Sequence, residues 1–319
     1  KVSREGRDMR FEQQIALLQR QVKWAAEKSS FYRDSFARVG ISYEHIKEFA
    51  DWARLPLLEC MGEEGATAPF LMPTLPFSGL FRMSVLRDCS AESADCVVCY
   101  TQGDIARQVQ AATTMLSICG VNRAATVLLC GNFGDSRTLD LQYALESIGA
   151  TVLPGNDGER AAASRLMETA VPDTIIAWEE NLPFLSELLY GQKDRHLHRL
   201  ISVGDSIEPG ALARRIGERT GAQCAHIFTL AHMGALLGCS CKEGVGIHLN
   251  EGLFFAEVID TAGESHIESG ACGELVLSAL TAEAVSILRF RTGRYVRLQR
   301  DMCACGNVSL RIIGVNHVR

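Results

Sequence analysis

Apolar residues at alternating steps of four and three open the chain: Phe11, Ile15, Leu18, Val22, and then Ala25 or Ala26. That spacing places them on one face of a helix over residues 8–30. Ser29-Ser30-Phe31-Tyr32 interrupts it, and a second helical stretch carries Phe36. After Gly40 a third short helix runs through Ile46, Phe49 and Trp52. Pro56 in Leu55-Pro56-Leu57 ends it, because the residue before a proline is steered away from helical geometry. Residues 61–80 hold Gly62, Gly65, Pro69, Pro73, Pro76 and Gly79, loop chemistry that marks a boundary.

Residues 82–101 suit a short strand, a polar loop and a second strand, and a helix follows from about Gln102 to Cys119. From Thr126 the pattern becomes strand–helix alternation. Strands are predicted at Thr126–Cys130, Thr151–Leu153, Thr174–Trp178, Leu200–Val203 and Cys224–Phe228. Between them lie a helix presenting Leu141, Leu145 and Ile148, then helices at Glu159–Thr169, Leu182–Tyr190 and Ala211–Arg219. Short apolar strands separated by helices imply a largely parallel sheet with helices on its faces. Ligands in such sheets bind beyond the carboxyl ends of the strands. The turn Gly204-Asp205-Ser206 and the residues Phe228-Thr229 sit at those ends.

From His248 the period becomes two. Strands are predicted at His248–Asp260, Glu274–Ala279 and Ser286–Leu298, with turns at Gly263 and Gly273. This predicts an antiparallel, barrel-like or sandwich module. The fold class is α/β: largely parallel sheet layers flanked by helices, plus that antiparallel module. Three parts follow: a helical segment over 1–80, an α/β nucleotide-binding-like subdomain over 81–246, and the β module over 247–319.

Composition narrows the function. The net charge of −6 and the lack of a basic stripe with interleaved aromatics argue against nucleic acid. No apolar run is long enough to cross a bilayer, and the charged N-terminus precedes no apolar signal core. Twelve cysteines in 319 residues fit a reducing cytoplasm better than a secreted disulfide scaffold. Four residues stand out: Cys241, His248, Cys303 and Cys305. Three thiolates and an imidazole suit tetrahedral zinc, and a closed four-ligand shell would be structural. Cys239, with Cys241, Cys303 and Cys305, forms a competing set. In a plain three-strand meander the start of the first strand and the end of the third lie at opposite edges, so this site requires a bent or closing sheet.

Several phrases, in order, resemble the phenylacetate–coenzyme A ligase branch of the adenylate-forming enzymes. Ser-Phe-Tyr-Arg at 30–33, Val39-Gly40-Ile41 and Leu55-Pro56-Leu57 are similar to its N-terminal signature. Glu146–Pro154 resembles its second sheet strand, and Cys241–Asp260 its Cys…Gly-Leu-His…Glu-Ile-Ile-Asp stretch. Leu288–Thr292, Cys303–Gly306 and Arg311–Gly314 match its closing motifs. The resemblance covers essentially the whole chain. It implies the large N-terminal domain of that fold, and ATP-driven conversion of a carboxylic acid to an acyl-adenylate and then a coenzyme A thioester. It also points to the same four metal positions, to Gly204, Asp205, Ser206, Phe228 and Thr229 beside an adenine-like ring, and to Phe133 and Gly134 beside a carboxylic acid.

The departures change the expectation. Where the family carries a Ser/Thr/Gly-rich phosphate loop ending in Lys, Leu86–Asp95 has neither glycine nor lysine and carries Asp88, Glu92 and Asp95. Such loops depend on backbone N–H groups reaching phosphate oxygens, and carboxylates there repel a polyphosphate. The family's magnesium-holding Glu corresponds to His232, a poor ligand for a hard cation. Its ribose-binding Asp corresponds to Arg294, which has no acceptor. The lid that supplies a catalytic lysine is not in this sequence. No catalytic residue is assigned. The expected function is an adenylate-forming acyl- or aryl-coenzyme A ligase relative with weak or absent ATP-dependent activity. The alternative is an inactive zinc-containing relative that binds a small molecule or a protein. Zinc is the expected cofactor, with AMP or ATP second. The expected partners are a small carboxylic acid or nucleotide, with a homodimer left open. Neither nucleic acid nor membrane is expected.

Overall fold

The structure, a computed structural model, describes residues 4–59, 73–86, 96–156, 160–190, 197–243 and 245–315, with side chains from residue 13 onward apart from residues 156 and 160. Helices α1 (Arg4–Lys28), α2 (Ser30–Val39) and α3 (Phe49–Ala53) come first. Strands β1 (Arg82–Leu86) and β2 (Cys96–Tyr100) form a two-stranded sheet, and α4 (Gln102–Ile118) follows. The alternating region is β3 (Thr126–Gly131), α5 (Ser136–Ile148), β4 (Thr151–Asn156), α6 (Arg160–Ala170), β5 (Thr174–Trp178), α7 (Leu182–Tyr190), β6 (Arg199–Gly204), α8 (Ala211–Thr220) and β7 (Gln223–Leu230). The remaining strands are β8 (Ala235–Cys239), β9 (Ile247–Leu249), β10 (Phe254–Ile259), β11 (Ser265–His266), β12 (Cys272–Ala279), β13 (Phe290–Gln299) and β14 (Arg311–Gly314). No described helix is long and apolar enough to cross a membrane.

The chain forms two compact units. One is built on Ile105–His248, with a short stretch beginning at Ser84. Its strand order is β4-β3-β5-β6-β7-β8-β9, with β3 to β7 parallel. Strand β5 is buried at every position and β3 and β6 at all but the first, as expected of strands covered on both faces. Leu128, Ile175 and Leu200 pack with Met167, Leu185 and Ile216 from the crossover helices. Helix α5 starts at Asp135, whose side chain accepts from the Arg137 N–H, and stops at Gly149 in the left-handed region (φ 85°). After β7 the chain turns back through Gly234 (φ 62°), and β8 pairs antiparallel to β7. Gly238 in β8 packs against the His248 carbonyl of β9, and a Cβ there would also meet Ile247 Cγ2 at 2.8 Å.

The second unit joins both ends of the chain: the N-terminal part as far as Met83, Cys96–Asp104, and everything from Leu249. Ile15, Leu18, Val22 and Ala25 are buried, so α1 presents the face its spacing predicts. Leu18, Val22, Phe36 and Trp52 share a core with Phe255, Leu280 and Leu288. The polar groups buried with them are partnered. Gln21 Nε2 donates to Ala282 O and Ser286 Oγ, while Tyr32 donates to Ser286 O and accepts from the Leu288 N–H. Arg289, in the left-handed region (φ 53°), forms a buried ion pair with Glu257 at 2.8 Å. Its guanidinium also donates to Ala53 O and Leu55 O, while Trp52 Nε1 donates to Glu257.

The antiparallel strands run in the open order β11-β10-β12-β13-β14, and among the described residues no closed barrel exists. The single strand expected from His248 to Asp260 is two strands. They are split at Asn250, whose side chain accepts from Gly252 N–H while its carbonyl accepts from Phe254 N–H. Strand β13 starts at Phe290, after the positive-φ Arg289, rather than at Ser286.

Candidate functional site

β14 pairs with β13, and the Leu249 N–H at the end of β9 donates to Leu310 O just before β14. The turn between β13 and β14, which carries Cys303 and Cys305, therefore comes back to β9 without any closure of the sheet. Ligand atoms of Cys241, His248, Cys303 and Cys305 all lie within 4.8 Å of one another. Cys241, His248 and Cys303 are buried and Cys305 half-buried. Gly306 (φ 86°) tightens the turn, Gly306 N–H donates to Cys303 O, and the Asn307 N–H points at Cys305 Sγ at 3.5 Å. Tetrahedral zinc with bonds of roughly 2.3 Å to sulfur needs its donors roughly 3.7 Å apart, so small side-chain adjustments bring this donor set to a fit. Cys239 has its thiol turned to Met115 O at 3.7 Å and is not in the group.

A second feature lies at the carboxyl ends of β3, β5, β6 and β7, where a doubly wound sheet takes its ligand. Arg137, 4% exposed, pairs with Asp135 at 2.6 Å. Its Nη1 donates to Thr229 Oγ1 at 3.2 Å, and its guanidinium lies 4.5 Å over the Trp178 ring. Trp178 Nε1 donates to Thr138 Oγ1 at 2.8 Å, and the indole lies so close to Gly131 that a Cβ there would be 2.5 Å from Cδ1. These side chains at the strand ends are thus paired with one another by charge and hydrogen bonds.

The neighbouring turn after β6 is built around Glu179. The Glu179 carboxyl rests on Gly204, whose Cβ would lie 2.5 Å from the carboxyl carbon. It also receives a hydrogen bond from the Gly210 backbone. Glu179 Oε1 is 2.9 Å from Ser206 Oγ, and Ser206 Oγ is 2.7 Å from Glu208 O. The Ser206 carbonyl accepts from His226 Nε2 at 2.8 Å, which leaves Nδ1 to accept from Ser202 Oγ at 2.8 Å. Burial holds His226 neutral, with its pKa lowered to about 4. Burial, aided by Asp205 and Glu180, pushes the Glu179 pKa up.

Of the other residues singled out in the sequence, Phe228 in β7 is the register partner of Gly204 in β6. Phe228 is fully buried in β7, and Thr229 Oγ1 donates to Ala235 O. Phe133 is half-buried and Gly134 exposed in the turn after β3, where Ser84 Oγ donates to Gly134 O. His232 is buried in the turn before β8, and Arg294 is half-buried in β13. The acidic loop with Asp88, Glu92 and Asp95 lies outside the described residues. Arg137, Trp178, Glu179 and His226 were not anticipated; a charged residue inside the first turn of a buried helix, and a Trp-Glu pair ending an apolar strand, were the available signals.

With this geometry in hand, likeness to known proteins is informative. No protein-family model matches the chain. It is 27% identical over 291 residues to a phenylacetate-coenzyme A ligase of Aromatoleum evansii, covering 89% of this chain and 66% of that protein. It is 25% identical over 296 residues to the phenylacetate-coenzyme A ligase of Escherichia coli K12, covering 89% and 67%. The chain is a homologue of phenylacetate-coenzyme A ligases. It spans about two thirds of the length of these relatives. The crystal structure of a 2-hydroxyisobutyryl-coenzyme A ligase with 2-HIB-AMP and coenzyme A superposes with a TM-score of 0.83 at 19% identity, covering 96% of this chain and 67% of that one. The fold is therefore that of the large N-terminal domain of the adenylate-forming enzymes.

Proposed function

We propose that this chain keeps the frame of an adenylate-forming acyl-coenzyme A ligase together with a structural zinc, and that its ATP-dependent activity is weak or absent. The observation that carries this reading is the paired network at the strand ends. Arg137, Asp135, Trp178 and Thr229 form one buried, internally paired group, and Glu179 covers Gly204 in another. A ligand that had to displace such a pair would lose roughly 3–5 kcal/mol of affinity. The phosphate-gripping residue types missing from the sequence point the same way.

Cys241, His248, Cys303 and Cys305 would hold the zinc. A closed four-ligand protein shell leaves no open position for chemistry. Thiolate ligands suit a reducing, cytoplasmic setting. Competing with the inactive reading is a functional ligase acting on a small carboxylic acid; it is favoured by the names of the homologues and by the acyl-AMP and coenzyme A in the related crystal structure. Calorimetry with ATP and AMP, with and without Mg²⁺, decides between them, together with pyrophosphate release in the presence of phenylacetate. Millimolar or undetectable nucleotide affinity without pyrophosphate is expected. Micromolar Mg-ATP binding with acid-dependent pyrophosphate release would defeat the proposal.

A further inference from the structure

Ser206 Oγ shares its one hydroxyl hydrogen between Glu208 O at 2.7 Å and Glu179 Oε1 at 2.9 Å, and the Gly210 backbone also donates to the Glu179 carboxyl. Burial, with Asp205 and Glu180 nearby, pushes the Glu179 pKa up. Gly204 and Gly210 make the seat: a Cβ at Gly204 would coincide with the carboxyl group, and one at Gly210 would lie 3.4 Å from Oε1.

We propose that Glu179 is a built-in occupant of the Gly204–Gly210 turn, an autoinhibitory contact that keeps a planar ligand out of the crevice beyond β6. The carboxyl presents a flat, accepting edge to Ser206 and the Gly210 backbone. A planar heteroaromatic ring with acceptors on one edge is the class of ligand that can take its place. The proposal rests on reading the strand ends as a nucleotide-type crevice that is now weakly binding.

The test is calorimetric binding of AMP and of uncharged adenosine to the wild-type chain, Glu179→Ala and Glu179→Gln. If the occupied state holds about nine-tenths of the molecules, emptying the seat raises apparent affinity about tenfold. Glu179→Ala is therefore expected to bind both probes about tenfold more tightly. Glu179→Gln, which keeps the planar group and an acceptor oxygen, is expected to match the wild type for adenosine. A folded Glu179→Ala with unchanged affinity overturns the proposal, and so does a gain for AMP alone, which reports only lost negative charge. Should Glu179→Ala fail to fold, Ser206→Ala removes the hydroxyl that donates to the Glu179 carboxyl, and a smaller gain for both probes is expected; no gain overturns the idea. The wild-type affinity separately reports on the proposed function. Micromolar wild-type binding with a further gain in Glu179→Ala rejects weak binding and keeps the gate.

Discussion

Replacing Arg137 with methionine tests the buried network most directly. Methionine keeps much of the volume, so the loss is chiefly electrostatic. Arg137 is 4% exposed and Asp135 11%, so solvent screens the pair little. Removing the guanidinium strands the Asp135 carboxylate, a change that costs roughly 3–5 kcal/mol in buried pairs. Loss of the cation–π contact with Trp178 adds roughly 0.5–2 kcal/mol. The helix cap survives, because Asp135 Oδ1 accepts from the backbone N–H of residue 137. That retained cap, worth about 1 kcal/mol, separates this variant from Asp135→Ala, which loses both. The double variant Asp135→Asn with Arg137→Met keeps a capping side chain and removes the stranded charge, so its loss should be smaller than that of Arg137→Met alone. Urea denaturation followed by circular dichroism and by tryptophan fluorescence, with coincident transitions, measures all three. A loss below about 1 kcal/mol for Arg137→Met would refute the view of Arg137 as a desolvated, paired cation, because broken buried pairs cost several times more.

Further predictions concern the metal, the histidine and the packing of the strand ends. Cys303→Ser should lower zinc content from close to one per chain and lower the melting temperature; elemental analysis showing a metal-free wild type of equal stability rejects the zinc site. His226 has a folded pKa of about 4 against an ordinary 6.5, so its contribution is present above pH 6.5 and is lost as pH falls through 4. The shift corresponds to about 3 kcal/mol, and His226→Gln should flatten the wild-type stability profile between those pH values by about that much; parallel profiles contradict the assignment. Gly131→Ala would place a methyl 2.5 Å from Trp178 Cδ1 and should cost roughly 1–3 kcal/mol through overpacking. Near-UV circular dichroism should show the displaced indole, and an unaltered spectrum with full stability counts against the close approach.

Periodicity located most elements because burial wrote it into the sequence. Continuous apolar runs such as Thr174–Trp178 became parallel strands, and the steps from Ile15 to Val22 became the buried face of α1. Strand β8 was not legible. Ala235–Cys239 is a five-residue apolar run with a glycine, lacking alternation, and only its pairing with β7 makes it a strand. The break at Asn250 was equally hidden, since an alternating pattern continues across it while a side-chain-capped turn decides the geometry. Residue chemistry alone brought Cys241, His248, Cys303 and Cys305 to attention, whereas the strand order that unites them came from non-local pairing. The Arg137 network was invisible for the same reason, because its partners Trp178 and Thr229 meet it only across the sheet.

One unit is continuous from Ile105 to His248 apart from a short early stretch, whereas the other unites the first residues with the last. During synthesis the continuous unit can fold as it leaves the ribosome, because nearly all its partners are already made. The apolar faces of α1 and α3 have to wait for Phe255, Leu280 and Leu288, more than two hundred residues later. Nascent chains stalled before Leu249 should therefore expose these helices to chaperones and proteases while the middle of the molecule already resists both.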